Sequence, residues 1–253
     1  MATELTGSSQ PVSHASAVSV HSVTLRDCLP IEDAARPDAQ DHARPPHSVR
    51  LVTEILVLCT ANHCRSAMTE SLLRHRLAVA GVTATVRSAG VSVPVRPAGE
   101  SASDGESASD GVLRESAQPP AEVITALAAY GLDAAAHRSR ALSEGDLAGS
   151  DLVLAMAREH LRRAVVELPG AWPRAFTLKE LVRRGQQIGP RLAGESLAGW
   201  LRRAHDGRDR SALLGDSADD DVADPTGGPP RAYIVTAEQL DQLLARLVEL
   251  AWG

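Results

Sequence analysis

The feature that most constrains the fold is the junction spanning residues 51–66. The apolar run Leu51 to Leu58 ends in Cys59-Thr60-Ala61-Asn62-His63-Cys64-Arg65-Ser66, and a helical pattern from Met68 to Val79 follows at once. A strand turning directly into a helix aims a row of backbone N–H groups, and the positive end of the helix dipole, into one hollow that attracts a tetrahedral oxyanion. Arg65, at the far end of the turn, would clamp that anion through two oxygens. The same field favours the thiolate of a cysteine beneath the anion, so Cys59 is the candidate nucleophile and the chemistry suggested is phosphoryl transfer to cysteine. Ser66 offers a hydroxyl that either caps the helix or donates to the thiolate. Asn62 sits mid-loop, where tolerance of positive φ is useful.

From Leu51 onward strands and helices alternate, which predicts a parallel sheet with helices on both faces. Strands are expected near 51–58, 82–88, 151–156 and 174–177, and helices near 66–80, 120–130, 157–166, 178–185, 195–205 and 236–251. In such sheets phosphate loops lie at the carboxyl ends of strands, which is where the Cys59 turn falls. Residues 1–49, rich in Ser, Ala, Pro, His and Asp without periodicity, read as a disordered N-terminal tail preceding a domain over 50–253. Two insertions interrupt that domain, near 96–118 and 185–223. The first contains Gly-Glu-Ser-Ala-Ser-Asp at 99–104, repeated unchanged at 105–110, a solvated loop with nothing apolar to bury. In the second, Leu197, Trp200 and Leu201 have helical spacing suited to docking on the core. Asp216, Asp219, Asp220 and Asp221 do not follow the alternating ligand pattern of a calcium loop and read as a solvated acidic loop.

Other function classes are disfavoured by composition. With a net charge of −6 and aromatics at 2%, the chain has no basic stripe interleaved with aromatics, so a nucleic-acid partner is not expected. Three cysteines, two of them in the loop, make no disulfide framework and suit a reducing compartment. No run reaches the roughly 18 apolar residues of a membrane span, and no basic start precedes an apolar stretch. A cytoplasmic protein without a membrane partner is the expectation.

The chain resembles the low-molecular-weight protein tyrosine phosphatase family, bacterial type, through Cys59, Asn62, Cys64, Arg65 and Ser66. Downstream, Val86-Arg87-Ser88-Ala89-Gly90 is similar to the end of that family's second strand, and His137-Arg138-Ser139-Arg140 to the segment after its second helix. Asp151 to Met156 resembles the third strand, and Asp224-Pro225 the general-acid dipeptide. The resemblance implies a three-layer α/β/α fold with a central four-stranded parallel sheet and the phosphate loop after the first strand. It implies a phosphatase acting without metal or cofactor on phosphomonoesters, phosphotyrosine on proteins foremost, with a phosphorylated protein, a tyrosine kinase or its target, as partner. Cys59, Arg65 and Asp224 would be catalytic; Thr60, Ala61, Asn62, His63, Cys64 and Ser66 would bind substrate. Ser88 and His137 would support the loop by bonding Asn62 and Ser66. Asp219 to Asp221 would help keep the acid protonated by like-charge repulsion. Cys64 is placed to trap an oxidised Cys59 as a disulfide.

Three departures bear on substrate. Ala67 replaces the proline common after the loop serine. Thr226-Gly227 stand where many relatives carry aromatics, which weakens stacking on a substrate ring by roughly 0.5–1.5 kcal/mol per lost pair. His63 stands where relatives acting on phosphoarginine tend to have threonine. Two rival functions are a thiol-coupled arsenate reductase, often with lysine at the Arg65 position, and a pseudophosphatase that only reads phosphorylated partners. Retention of Cys59, Arg65 and Asp224 together favours the enzyme.

Overall fold

A computed structural model describes residues 52–93 and 116–253, so the tail and the duplicated segment lie outside the described residues. Strands β1 (Thr53–Cys59), β2 (Ala84–Gly90), β3 (Leu152–Ala155) and β4 (Ala175–Thr177) form one parallel sheet in the order β2-β1-β3-β4. The helices are α1 (Arg65–Val79), α2 (Ala121–Ala128), α3 (Glu144–Gly149), α4 (Arg158–Glu167), α5 (Leu178–Ile188), α6 (Leu197–His205) and α7 (Pro230–Trp252). β1 is central and covered on both faces, which is why its sequence is a continuous apolar run and not an alternation. Ile55, Val57 and Cys59 face a cluster completed by α1, α2, α5, α6 and α7, whereas Leu56 and Leu58 face one completed by α3, α4 and the 3₁₀ turn Pro169–Arg174. Those two clusters and the sheet between them are the three layers.

The four expected strands and six expected helices are present, with two differences of extent. α3 is additional: Ser143 and Asp146 form a reciprocal capping box that starts a helix of only 6 residues, too short for periodicity to reveal. α7 begins at Pro230, six residues before the expected start, because proline is preorganised for the first helical position.

The second insertion is built into the core. Trp200 on α6 is fully buried and donates its indole N–H to the Gly189 carbonyl at 3.1 Å. Gly185 permits this contact, since a Cβ there would meet Trp200 at 2.9 Å and Leu250 at 3.0 Å. The Arg208 guanidinium lies 3.6 Å from the centre of the Trp172 ring and 4.0 Å from that of Phe176, and bonds Glu180 through two nitrogens at 2.8 and 2.9 Å. The expectation of a solvated acidic loop holds for Asp216 and Asp219, which are exposed, and is corrected for Asp220 and Asp221. Asp220 is 6% exposed and accepts from Arg158 at 2.8 Å and Arg183 at 2.7 Å, while Asp221 accepts from the Arg158 backbone N–H at 2.7 Å and so caps α4. Among the described residues no helix is long and apolar enough to cross a membrane.

Candidate active site

Cys59 is the last residue of β1 and Arg65 the first of α1, so the intervening loop caps the sheet at its carboxyl end. Asn62 has φ +53° at the apex, the left-handed conformation that asparagine tolerates. Gly90, ending β2, lets the loop sit close: a Cβ there would meet the Thr60 carbonyl oxygen at 2.8 Å and Ala61 at 2.9 Å. Val91 and Ser92 N–H groups donate to the Cys59 and Thr60 carbonyls at 3.0 and 2.9 Å, fixing the loop's outer edge. Among the described residues no backbone carbonyl accepts from the N–H groups of residues 60–64, and the first-turn N–H groups of α1 have no partner within the helix. These donors are the cradle for an oxyanion.

A buried chain of hydrogen bonds runs behind the cradle, and the Asn62 amide sets its directions as far as the two serines. The Arg140 N–H donates to Asn62 Oδ1 at 3.0 Å, identifying the other terminal atom as the amide nitrogen. That nitrogen donates to Ser66 Oγ at 3.0 Å and Ser88 Oγ at 2.6 Å. Ser66 Oγ also lies 2.9 Å from Cys59 Sγ, within hydrogen-bond reach of the sulfur. The partners of the Ser66 hydroxyl are Asn62 and Cys59, not a backbone N–H of α1. Ser88 donates in turn to Glu70, which also pairs with Arg74 at 2.5 Å and lies 3.6 Å from His137 Nδ1. His137 Nε2 is 2.9 Å from the Asn62 carbonyl oxygen, a contact that requires a proton on Nε2. Ser88 and His137 therefore both hold Asn62; neither bonds Ser66 directly, which is reached through Asn62. Glu70 is absent from the sequence-based candidates, although a carboxylate one turn after Ser66, on the buried face of an apolar helix, is its signal.

Arg65 is 5% exposed and makes three hydrogen bonds. It donates to the Val222 carbonyl at 3.1 Å, to Thr60 Oγ1 at 3.3 Å and to Asp224 Oδ2 at 2.5 Å. Thr226 steadies the other Asp224 oxygen through its N–H at 3.1 Å and its hydroxyl at 2.8 Å. The segment carrying Asp224 is tied to the sheet by the Val222 N–H, which donates to the Met156 carbonyl at 2.8 Å. The structure thus brings Cys59, Arg65 and Asp224 together. Two of the acidic neighbours of Asp224 are engaged elsewhere: the charge of Asp220 is taken up by two arginines, and Asp221 accepts from the Arg158 and Ser217 N–H groups.

Cys64 is buried, and burial pushes its thiol up to about 11. The neutral thiol therefore predominates at pH 7, which disfavours attack on an oxidised Cys59. His63 is held below its ordinary value by burial and by His137, so it is neutral at pH 7. His160, fully buried on α4, is driven down to about 3, first by burial and then by the Arg65 charge. Its Nε2 is 2.9 Å from Thr60 Oγ1 and 3.0 Å from Glu159 Oε1. Neither His160 nor Glu159 is visible as a site residue in the sequence.

A family model described as low molecular weight phosphotyrosine protein phosphatase matches residues 54–104 and 95–187. A low-molecular-weight protein tyrosine phosphatase from T. tengcongensis is 30% identical, with a TM-score of 0.54 over 78% of this chain and 98% of that one. The protein-arginine-phosphatase of Geobacillus stearothermophilus is 28% identical over 195 residues, 77% of this chain and 93% of that protein. That of Bacillus subtilis is 28% identical over 78% and 95%, respectively. The structure of the YwlE arginine phosphatase from Geobacillus stearothermophilus aligns with a TM-score of 0.52 at 27% identity, over 78% of this chain and 91% of that one. The chain belongs to the low-molecular-weight phosphotyrosine protein phosphatase family.

Proposed function

We propose that the protein hydrolyses phosphorylated side chains of proteins through a cysteinyl-phosphate, with Cys59 as nucleophile, Arg65 as clamp and Asp224 as acid and base. The observation that carries this is the convergence of all three on one cradle, with Arg65 bonded to Asp224 and Ser66 bonded to Cys59. Cys59 sulfur attacks phosphorus; the S–P bond forms as the bond to the leaving group breaks, and Asp224 passes its proton to the leaving atom. Water then attacks phosphorus, the S–P bond breaks, Asp224 takes the water's proton and inorganic phosphate departs. Charge on the equatorial oxygens is met by Arg65 and the cradle amides, so metal is not required for transition-state stabilisation. An arriving phosphoryl group competes for the Arg65 N–H groups and frees Asp224 to carry its proton.

Phosphotyrosine is the substrate the family suggests. Phosphoarginine on proteins is a second reading, favoured by the non-aromatic Thr226 and Gly227 after the acid and by two relatives named as arginine phosphatases, although His63 departs from the threonine common among such enzymes. The test is hydrolysis of para-nitrophenyl phosphate in chelator and reductant. Turnover by the native chain that vanishes in Cys59→Ser and falls strongly in Asp224→Ala is expected. A native chain without turnover overturns the reading in favour of arsenate reduction or phosphate reading alone. Phosphotyrosyl and phosphoarginyl peptides, compared by kcat/KM, then separate the two substrates.

A further inference from the structure

Glu159 stands at the mouth of the cradle with no arginine or lysine partner among the described residues. Its side chain is 52% exposed, yet one carboxylate oxygen is tied down: Oε1 lies 3.0 Å from Nε2 of the fully buried His160 and 3.4 Å from the Thr60 hydroxyl, which donates to it. The cations flanking Glu159 in sequence turn elsewhere. Arg158 goes to Asp220, and Arg162 to the carbonyls of Leu213 and Gly215.

The His160 ring is committed to this arrangement. An unprotonated Nε2 would set its lone pair against a carboxylate oxygen at 3.0 Å, so the neutral ring carries its proton on Nε2, donates it to Thr60 Oγ1 at 2.9 Å and turns its positive N–H edge toward the Glu159 carboxylate. Nδ1 is left buried without a partner among the described residues. A buried unpaired nitrogen is unfavourable, and an exposed acid in the first turn of a helix gains from the dipole without any such tether. The tether fixes a carboxylate two hydrogen bonds from the Arg65 clamp, through Thr60.

We infer that Glu159, oriented by His160, is a specificity-determining residue that pairs with a cationic leaving group. A phosphorylated guanidino group meets the geometry, because its two remaining nitrogens each lie three bonds from phosphorus and its N–H groups match a carboxylate edge. A phenyl ring offers Glu159 no donor. The inference rests on the phosphatase reading above and commits its substrate to phosphoarginine.

The experiment compares kcat/KM for a phosphoarginyl and a phosphotyrosyl peptide of the same flanking sequence, in the native chain and in Glu159→Gln, His160→Leu and His160→Gln. The ratio of the two constants is independent of the fraction of enzyme that folds. Glu159→Gln is expected to lower the phosphoarginine-to-phosphotyrosine ratio about tenfold. His160→Leu should lower it in the same direction, and His160→Gln, whose amide N–H can replace Nε2–H, should restore part of it. Ratios unchanged in Glu159→Gln, with both peptides hydrolysed, overturn the role of Glu159 and leave the phosphatase reading standing. A native chain that cleaves para-nitrophenyl phosphate but not the phosphoarginyl peptide overturns the cationic leaving group alone. Failure on every substrate overturns both.

Discussion

His160 makes a sharp prediction about acid stability. The folded chain holds this imidazole neutral down to about pH 3, by burial first and by the neighbouring Arg65 charge second, whereas in the unfolded chain it titrates near 6.5. Below pH 6.5 the unfolded state binds a proton that the folded state refuses, so this contribution to stability is complete above that value and is lost as pH falls toward 3. Between pH 7 and pH 5 the loss is about 2 kcal/mol, approaching the limiting slope of about 1.4 kcal/mol per pH unit. Urea unfolding at pH 7, 6 and 5 should show the native chain losing about 2 kcal/mol more than His160→Asn, which does not titrate. Other groups titrate equally in both proteins and cancel. Superimposable pH dependences would refute a buried neutral ring, and with it the hydrogen-bond directions assigned around Glu159.

Three further outcomes follow from the site. Gly90→Ala should push the Thr60–Ala61 backbone outward, costing roughly 1–3 kcal/mol as overpacking and reducing kcat in steady-state assays; an unaltered kcat would show that the loop does not depend on this contact. Ser88→Ala leaves a buried amide N–H of Asn62 unpaired, so denaturant midpoints should report about 1–3 kcal/mol of destabilisation, with kcat falling more than KM rises. Mass spectrometry after limited iodoacetamide treatment at pH 7 should find Cys59 modified well before Cys64, whose thiol is pushed up to about 11; equal labelling would contradict that upward shift.

What was legible in the sequence was whatever chemistry and periodicity write locally. β1, the phosphate loop and α1 are contiguous, so Cys59, Asn62, Arg65 and Ser66 could be assigned from one stretch. Trp200 and Leu201 announced their burial by helical spacing. The residues that escaped are those whose role depends on distant partners. Glu70 looks like any helical acid until Ser88 and His137 arrive from other elements, and Glu159 and His160 acquire a site only because β3 delivers α4 beside the loop. Asp220 and Asp221 misled for the same reason: a run of carboxylates reads as solvated unless the arginines that meet Asp220, from α4 and α5, are known.

Asp220 links the second insertion to the proposed acid, Asp224. It sits four residues before the acid, on a segment that reaches the site only if it is held. Burial pushes its carboxyl up, but Arg183 and Arg158 together outweigh that and keep it below the ordinary carboxylate range. Removing the carboxylate leaves two guanidiniums facing each other. Breaking a buried pair costs about 3–5 kcal/mol, and the exposure of the Arg183 side chain at 44% reduces this toward 2. The segment 216–223 should then loosen while Cys59 and its supports, which come from other elements, remain in place. Protonation of the leaving group suffers and attack by sulfur does not. Asp220→Ala should therefore slow hydrolysis of phenyl phosphate, whose leaving group needs the proton, considerably more than para-nitrophenyl phosphate, whose leaving group departs as a stable anion. Equal slowing of both substrates would mean that Asp220 serves the fold at large and not the placement of Asp224.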